Sequence, residues 1–193
     1  MNRASAVNEM KATWAVLNSD LDAAVEYGKQ ANTPYAQRAL TRALFAAIEG
    51  LAYSLRQVTL ASLYGTKLLT QDELVLLREV SIRIDEGGKV KAREAYLPFP
   101  QSLLFSVRMY VKNHGAKFEI DKSQKGWQAL QIAINARNHI THPKSAASLT
   151  LTNEELQALM ETAEWWKSSM LALFKACEEA DIFWRKKIEG NSQ

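Results

Sequence analysis

Arg137-Asn138-His139-Ile140-Thr141-His142-Pro143-Lys144 decides the reading of this chain: reactive side chains crowd together there, at the end of an otherwise apolar helical segment. An arginine, an amide beside it and a histidine five positions after the arginine supply a phosphate clamp, a polar positioner and a proton shuttle, the parts a phosphodiester cleaver needs. On an unbroken helix, at about 100° per residue, Arg137 and His142 would point roughly 140° apart. Pro143 biases His142 away from the α region, so the helix is expected to end around Thr141 and the imidazole to fold back toward the guanidinium.

Outward from this stretch the periodicity is helical nearly throughout, with no convincing run of strand alternation. The motif helix begins near Asp121 or Ser123 and carries Trp127, Leu130, Ala133 and Ile134 inward. Upstream, a first helix runs from about Ala6 to Gln30 with Trp14, Leu17, Leu21 and Val25 on one side. Thr33 and Pro34 open a long second helix as cap and first-turn proline. Along it Leu40, Leu44, Ile48, Leu51, Leu55 and Val58 form a core stripe, and Ala43, Ala47, Gly50 and Ser54 a small-residue stripe that invites close approach of another helix.

A third helix is expected from Thr70 to Asp85, opened by a Thr70–Glu73 capping box and ended by Gly87 and Gly88. Residues 86–100 form an irregular insertion with room for a short strand pair, and a helix from Gln101 to Asn113 closes at His114-Gly115. Downstream, Ser145 to Leu151 is a loop and Thr152-Asn153-Glu154-Glu155 caps a last helix. Its stripe is Leu156, Met160, Ala163, Trp166, Met170, Leu173 and Cys177. Of the adjacent Trp165 and Trp166, one is expected in the core and the other exposed, to stack a base or join an interface. The expected organisation is one all-α domain over residues 1–193: an N-terminal helix and turn (1–35), a bundle core (36–188) and a frayed tail (189–193).

The motif resembles that of the HEPN superfamily, small all-helical domains marked by an arginine, a polar residue after it and a histidine four to six residues beyond the arginine. Arg137, Asn138 and His142 match position by position, and the resemblance extends from about Ala39 to about Leu173. It takes in Gly126-Trp127-Gln128, the His142-Pro143-Lys144 exit and Ala163-Glu164-Trp165-Trp166. It implies a HEPN-like helical bundle and a metal-independent endoribonuclease, often a toxin or defence effector, whose two protomers place their motifs side by side. It also admits a module that has lost catalysis and only binds RNA, a nucleotide or a protein. One toxin branch carries a tyrosine two residues after the histidine. Here Lys144 stands there, so regulation through such a tyrosine is not carried over.

In this reading His142 is the general acid or base, Arg137 stabilises charge on the pentavalent phosphorus and Asn138 positions a phosphate oxygen or the imidazole. Glu49, with Phe45 and Tyr53 four residues to either side, takes the role of an acidic residue from an earlier helix that orients the arginine. His139 is a supporting neighbour at solvent or substrate, and Lys144 and Lys125 are candidate contacts to the RNA. The attacking hydroxyl belongs to the RNA, so no metal or other cofactor is called for. Plainer roles stay open: Arg137 as a structural partner of Glu49 or Glu119, Asn138 satisfying a backbone group, His142 capping the helix end, and the whole cluster serving a helical interaction domain.

Composition sets the frame. With 47% hydrophobic residues, eight glycines, four prolines and no low-complexity run, the chain reads as globular. Residues Met1 to Met10 lack the apolar core of a signal peptide and no run is long enough for a membrane span, so a cytoplasmic, membrane-free protein is expected. Three histidines and the single Cys177, without further ligands at metal spacing, fall short of a zinc pattern; His114 reads as a cap. Net charge is only +3, yet between Arg108 and Lys144 seven basic residues stand against two acidic ones. Expected partners are RNA, a second copy of the chain, and an antitoxin or regulatory protein.

Overall fold

The computed structural model describes residues 2–31, 33–95 and 97–190. Thr33 accepts a hydrogen bond from the Ala36 N–H at 3.2 Å, with Pro34 in the first turn, so the second helix starts where cap chemistry places it. Helices α1 (Arg3–Ala31) and α2 (Pro34–Leu63) form an antiparallel hairpin. The expected small-residue stripe is used inside the chain: a Cβ at Gly50 would stand 2.5 Å from Cδ1 of Leu17 on α1. Ala47 and Ser54 are buried beside it, so this stripe is not a surface for a partner.

The apolar stripe of α2 is the centre of the core. Leu40, Leu44, Ile48, Leu51, Leu55 and Val58 are all buried, facing Leu21 of α1, Leu103 of α4 (Phe99–His114), Leu130 and Ala133 of α5 (Lys125–Thr141), and Leu159, Trp166, Met170 and Leu173 of α6 (Asn153–Gly190). The capping box opening α6 is present: Glu155 N–H donates to Thr152 Oγ1 at 3.2 Å, and Thr152 N–H to Glu155 Oε2 at 2.8 Å. The helix runs through residues 189 and 190, where a frayed tail was expected; residues 191–193 lie outside the described residues.

Both tryptophans of the Trp165-Trp166 pair are buried, at 7% and 0% exposure, which corrects the expectation that one faces solvent. Trp165 lies over Gly126 at the start of α5, where a Cβ would come 2.1 Å from its ring, and meets Trp127 edge-on. Only a residue without a side chain admits that packing, so the indole is spent on joining α5 to α6.

The chain departs most from expectation after Thr70. The Thr70–Glu73 capping box forms, but α3 covers only Gln71–Leu77. Glu79 takes φ of 52°, and Val80–Ile84 (β1) pairs antiparallel with Val90–Glu94 (β2). The reason lies in Val80-Ser81-Ile82-Arg83-Ile84, a β-branched, period-two run that favours a pleated ribbon over another helical turn. Gly87 and Gly88 close the hairpin instead of ending a helix: Asp85 Oδ1 accepts from the Gly87 and Lys89 N–H groups at 3.0 and 2.9 Å. The strand pair therefore begins before the expected insertion at residues 86–100. Helix α4 starts at Phe99, ahead of Gln101, because Pro100 suits its first turn, and α5 starts at Lys125, later than expected, since Asp121 and Ser123 bond each other in a turn. The architecture is a mostly helical bundle carrying one two-stranded ribbon, and among the described residues no helix is long and apolar enough to cross a membrane.

Candidate functional site

Helix α5 stops at Thr141, as Pro143 requires, and His142 leaves the helical region at φ −124°, ψ 63°. Its N–H still donates to the Asn138 carbonyl at 3.0 Å, which holds the departing turn against the helix. The imidazole is exposed and, among the described residues, has no hydrogen-bond partner, so its nitrogens are available to a ligand. The Thr141 hydroxyl donates to the Arg137 carbonyl at 2.7 Å, satisfying one of the helix's last acceptors.

One turn earlier, Arg137 points across to α2. Its NH2 group donates to Glu49 Oε1 at 2.8 Å, and NH1 makes a long contact of 3.4 Å with Asn138 Oδ1. Of the two carboxylates considered as partners, the structure selects Glu49. The guanidinium also lies over the Phe45 ring, 5.8 Å from its centroid. Phe45 and Glu49 are a helical i, i+4 pair, so one face of α2 supplies both the shelf and the counter-charge that orient the arginine. The pair is partly exposed, which leaves N–H donors facing solvent.

His139 is not part of this cluster. Nδ1 lies 2.6 Å from the Ser148 carbonyl and Nε2 lies 2.7 Å from Glu155 Oε1. Both partners are acceptors, so the ring satisfies both only as the imidazolium. The Glu155 carboxylate, followed by the Ser148 carbonyl, raises the His139 pKa. Burial pushes Glu155 upward, but the Thr152 and His139 hydrogen bonds outweigh it and hold its pKa below the usual carboxylate value. His139 thus ties the end of the motif helix to the 3-10 turn Ala147–Leu149 and to α6, with both ring nitrogens engaged in that bracing and the side chain partly exposed.

Lys125 begins α5, about 18 Å along the axis from Arg137, and pairs with Glu161 at 2.7 Å, so it is a neighbour of Trp165 and not of Arg137. Lys144 is exposed two residues beyond His142. Of the local basic excess, Lys112 is also paired, with Glu73 at 2.7 Å. His114 bonds Asp181 through Nδ1 at 2.9 Å and stacks near Tyr110, bracing α4 against α6.

One feature beside the motif escaped the sequence. A cleft of about 270 Å³ is bordered by Arg137 and Glu49 and continues past Phe99 and Ser102 to Arg56 and Glu79. Arg56 is only 4% exposed: NH1 donates to the Ser106 and Ser102 hydroxyls at 2.7 and 3.1 Å, and NH2 to Glu79 Oε1 at 2.7 Å. The available signal was the i, i+4 serine pair on α4 and the seven-residue spacing of Glu49 and Arg56 on α2. Among the described residues no three His, Cys, Asp or Glu side chains converge as metal ligands do. Comparison with family models, with curated proteins and with solved structures finds no match to this chain.

Proposed function

We propose that this chain is a HEPN-type endoribonuclease that cleaves RNA through the RNA's own 2′-hydroxyl, acting as a toxin or defence effector. The observation that carries the reading is the pairing of a guanidinium oriented by Glu49 and Phe45 with an unpartnered, solvent-facing imidazole at the broken end of the same helix. The 2′-oxygen attacks phosphorus as its proton passes to an imidazole, and the bond to the 5′-oxygen breaks as that oxygen takes up a proton. Arg137 offers its free N–H groups to the phosphoryl oxygens as charge builds on them, and Asn138 steers an oxygen or the ring. The products are a 2′,3′-cyclic phosphate and a 5′-hydroxyl, and DNA is left uncut.

In-line transfer uses one group to take the 2′ proton and another to protonate the leaving oxygen, and each chain supplies only one free histidine at the motif. A homodimer with two motifs facing across a two-fold axis supplies both. The competing reading is a non-catalytic binding module, favoured by the Arg137–Glu49 pair, which leaves the site with less net positive charge than its arginine suggests. Incubating the purified chain with total RNA, beside Arg137→Ala and His142→Ala variants, separates the two. The ribonuclease reading expects fragments from the wild type alone; RNA retarded but intact in every lane supports the module.

A further inference from the structure

The hairpin lies outside the motif, and its side chains are sorted by face. Ser81 pairs with Arg93 and Arg83 with Lys91, while Asp85 and Lys89 meet at the turn. One face therefore carries Arg83, Lys89, Lys91 and Arg93 against the single carboxylate of Asp85, and the other carries Val80, Ile82, Ile84, Val90 and Ala92, with Glu94 at its open end. Cations on strand edges can serve to block edge-to-edge pairing, but that purpose does not require them to share a face. Arg83 directly opposite Lys91 weakens a lone hairpin. Asp85 relieves only Lys91, at 2.9 Å; among the described residues Arg83, Lys89 and Arg93 have no ion-pair partner.

The ribbon is rooted beside the candidate site. Ala95 N–H donates to the Glu79 carbonyl at 2.7 Å, closing its base, and the Glu79 carboxylate is gripped by buried Arg56. Glu79, Ala95 and Arg56 line the same cleft as Arg137 and Glu49. The cleft thus runs from Arg137 to the base of the hairpin.

We propose that the basic face of the hairpin, Arg83, Lys89, Lys91 and Arg93, docks the phosphate backbone of a single-stranded RNA that extends beyond the Arg137 site. This rests on the reading of RNA as the substrate and adds to it a preference for long strands over short ones. Same-face residues on a strand stand about 6.6 Å apart, so the two strands present a row of cations that a flexible polyanion can follow.

The test uses the full chain and an uncleavable probe, a 2′-O-methyl oligonucleotide of about twenty residues, with affinity followed against salt. For single strands each neutralised phosphate contributes about 0.7 to the logarithmic salt slope, so Arg83→Gln, Lys91→Gln and Arg93→Gln together lower the slope by about 2. At moderate salt they weaken binding about tenfold or more. A control lacking Lys11, Lys29 and Lys175 on α1 and α6 keeps the wild-type slope. All four side chains on the basic face are exposed, so the helical circular dichroism melt stays that of the wild type. An unchanged slope, an equal loss in the control, or loss of binding to phosphatidylserine vesicles with the oligonucleotide unaffected overturns the proposal. Because the probe has no 2′-hydroxyl, the expected slope change without any RNA cleavage overturns only the ribonuclease reading. Cleavage with an unchanged slope overturns only the ribbon.

Discussion

Arg137 is the residue to which the proposed ribonuclease reading assigns the phosphate. Glu49 fixes the guanidinium from one side and Phe45 from below, and the donors left over face solvent. With Arg137 and Glu49 side chains 26% and 43% exposed, solvent screening holds the pair to about 1 kcal/mol or less. Glu49→Gln should therefore leave thermal melts nearly unchanged while slowing RNA cleavage about tenfold through loss of orientation. A drop in melting temperature matching the loss of activity would make Glu49 a plain structural partner. This contact was legible because Phe45, Glu49 and Arg137 all sit on strongly periodic helices. Cys177 presents the opposite case: burial, then Asp181, pushes its thiol up to about 12, so alkylating reagents should leave it untouched near neutral pH until the protein unfolds. Its burial could be read from its place in the α6 stripe.

At the scale of elements, the end of α5 is braced by a titratable pair, which gives stability a pH window. The raised pKa of His139 stabilises fully below its ordinary 6.5 and fades as pH rises through the raised value. The lowered pKa of Glu155 stabilises above its ordinary 4.5 and fades as pH falls through the lowered value. The melting-temperature gap between wild type and His139→Gln should be widest between these two ordinary values and narrow on the alkaline side. A gap that is flat with pH would mean that the ring is neutral in the fold. At the other end of α5, Gly126→Ala drives a methyl into Trp165 and should cost about 1–3 kcal/mol in denaturant titrations. The helix starts at Thr33, Thr70 and Thr152 could be read because a cap is a local exchange of hydrogen bonds between near neighbours. The end of α3 could not: Val80-Ser81-Ile82-Arg83-Ile84 carries apolar residues that fit a helix or a strand, and only its pairing with Val90–Glu94 decides between them. Arg56 was hidden for the same reason, since its serines lie on α4 and its glutamate beyond α3.

The whole molecule spends its small-residue stripe and both adjacent tryptophans on its own packing, so a symmetric partner must use other surfaces. The composite-site proposal still requires that partner, because one chain presents one unpartnered histidine at the motif. Sedimentation should therefore find a dimer at micromolar protein, and a monomer that cleaves RNA at full rate would remove the composite site. The central claim is narrower than the dimer: Arg137 and His142 pass protons and charge for a hydroxyl that the RNA itself supplies. It is tested most directly by the ends of the cleaved RNA, mapped with EDTA present for the wild type and for His142→Ala. The account predicts 2′,3′-cyclic phosphate and 5′-hydroxyl ends from the wild type and no cleavage from the variant. Fragments bearing 5′-phosphates, cleavage abolished by EDTA, or undiminished cleavage by His142→Ala would contradict it.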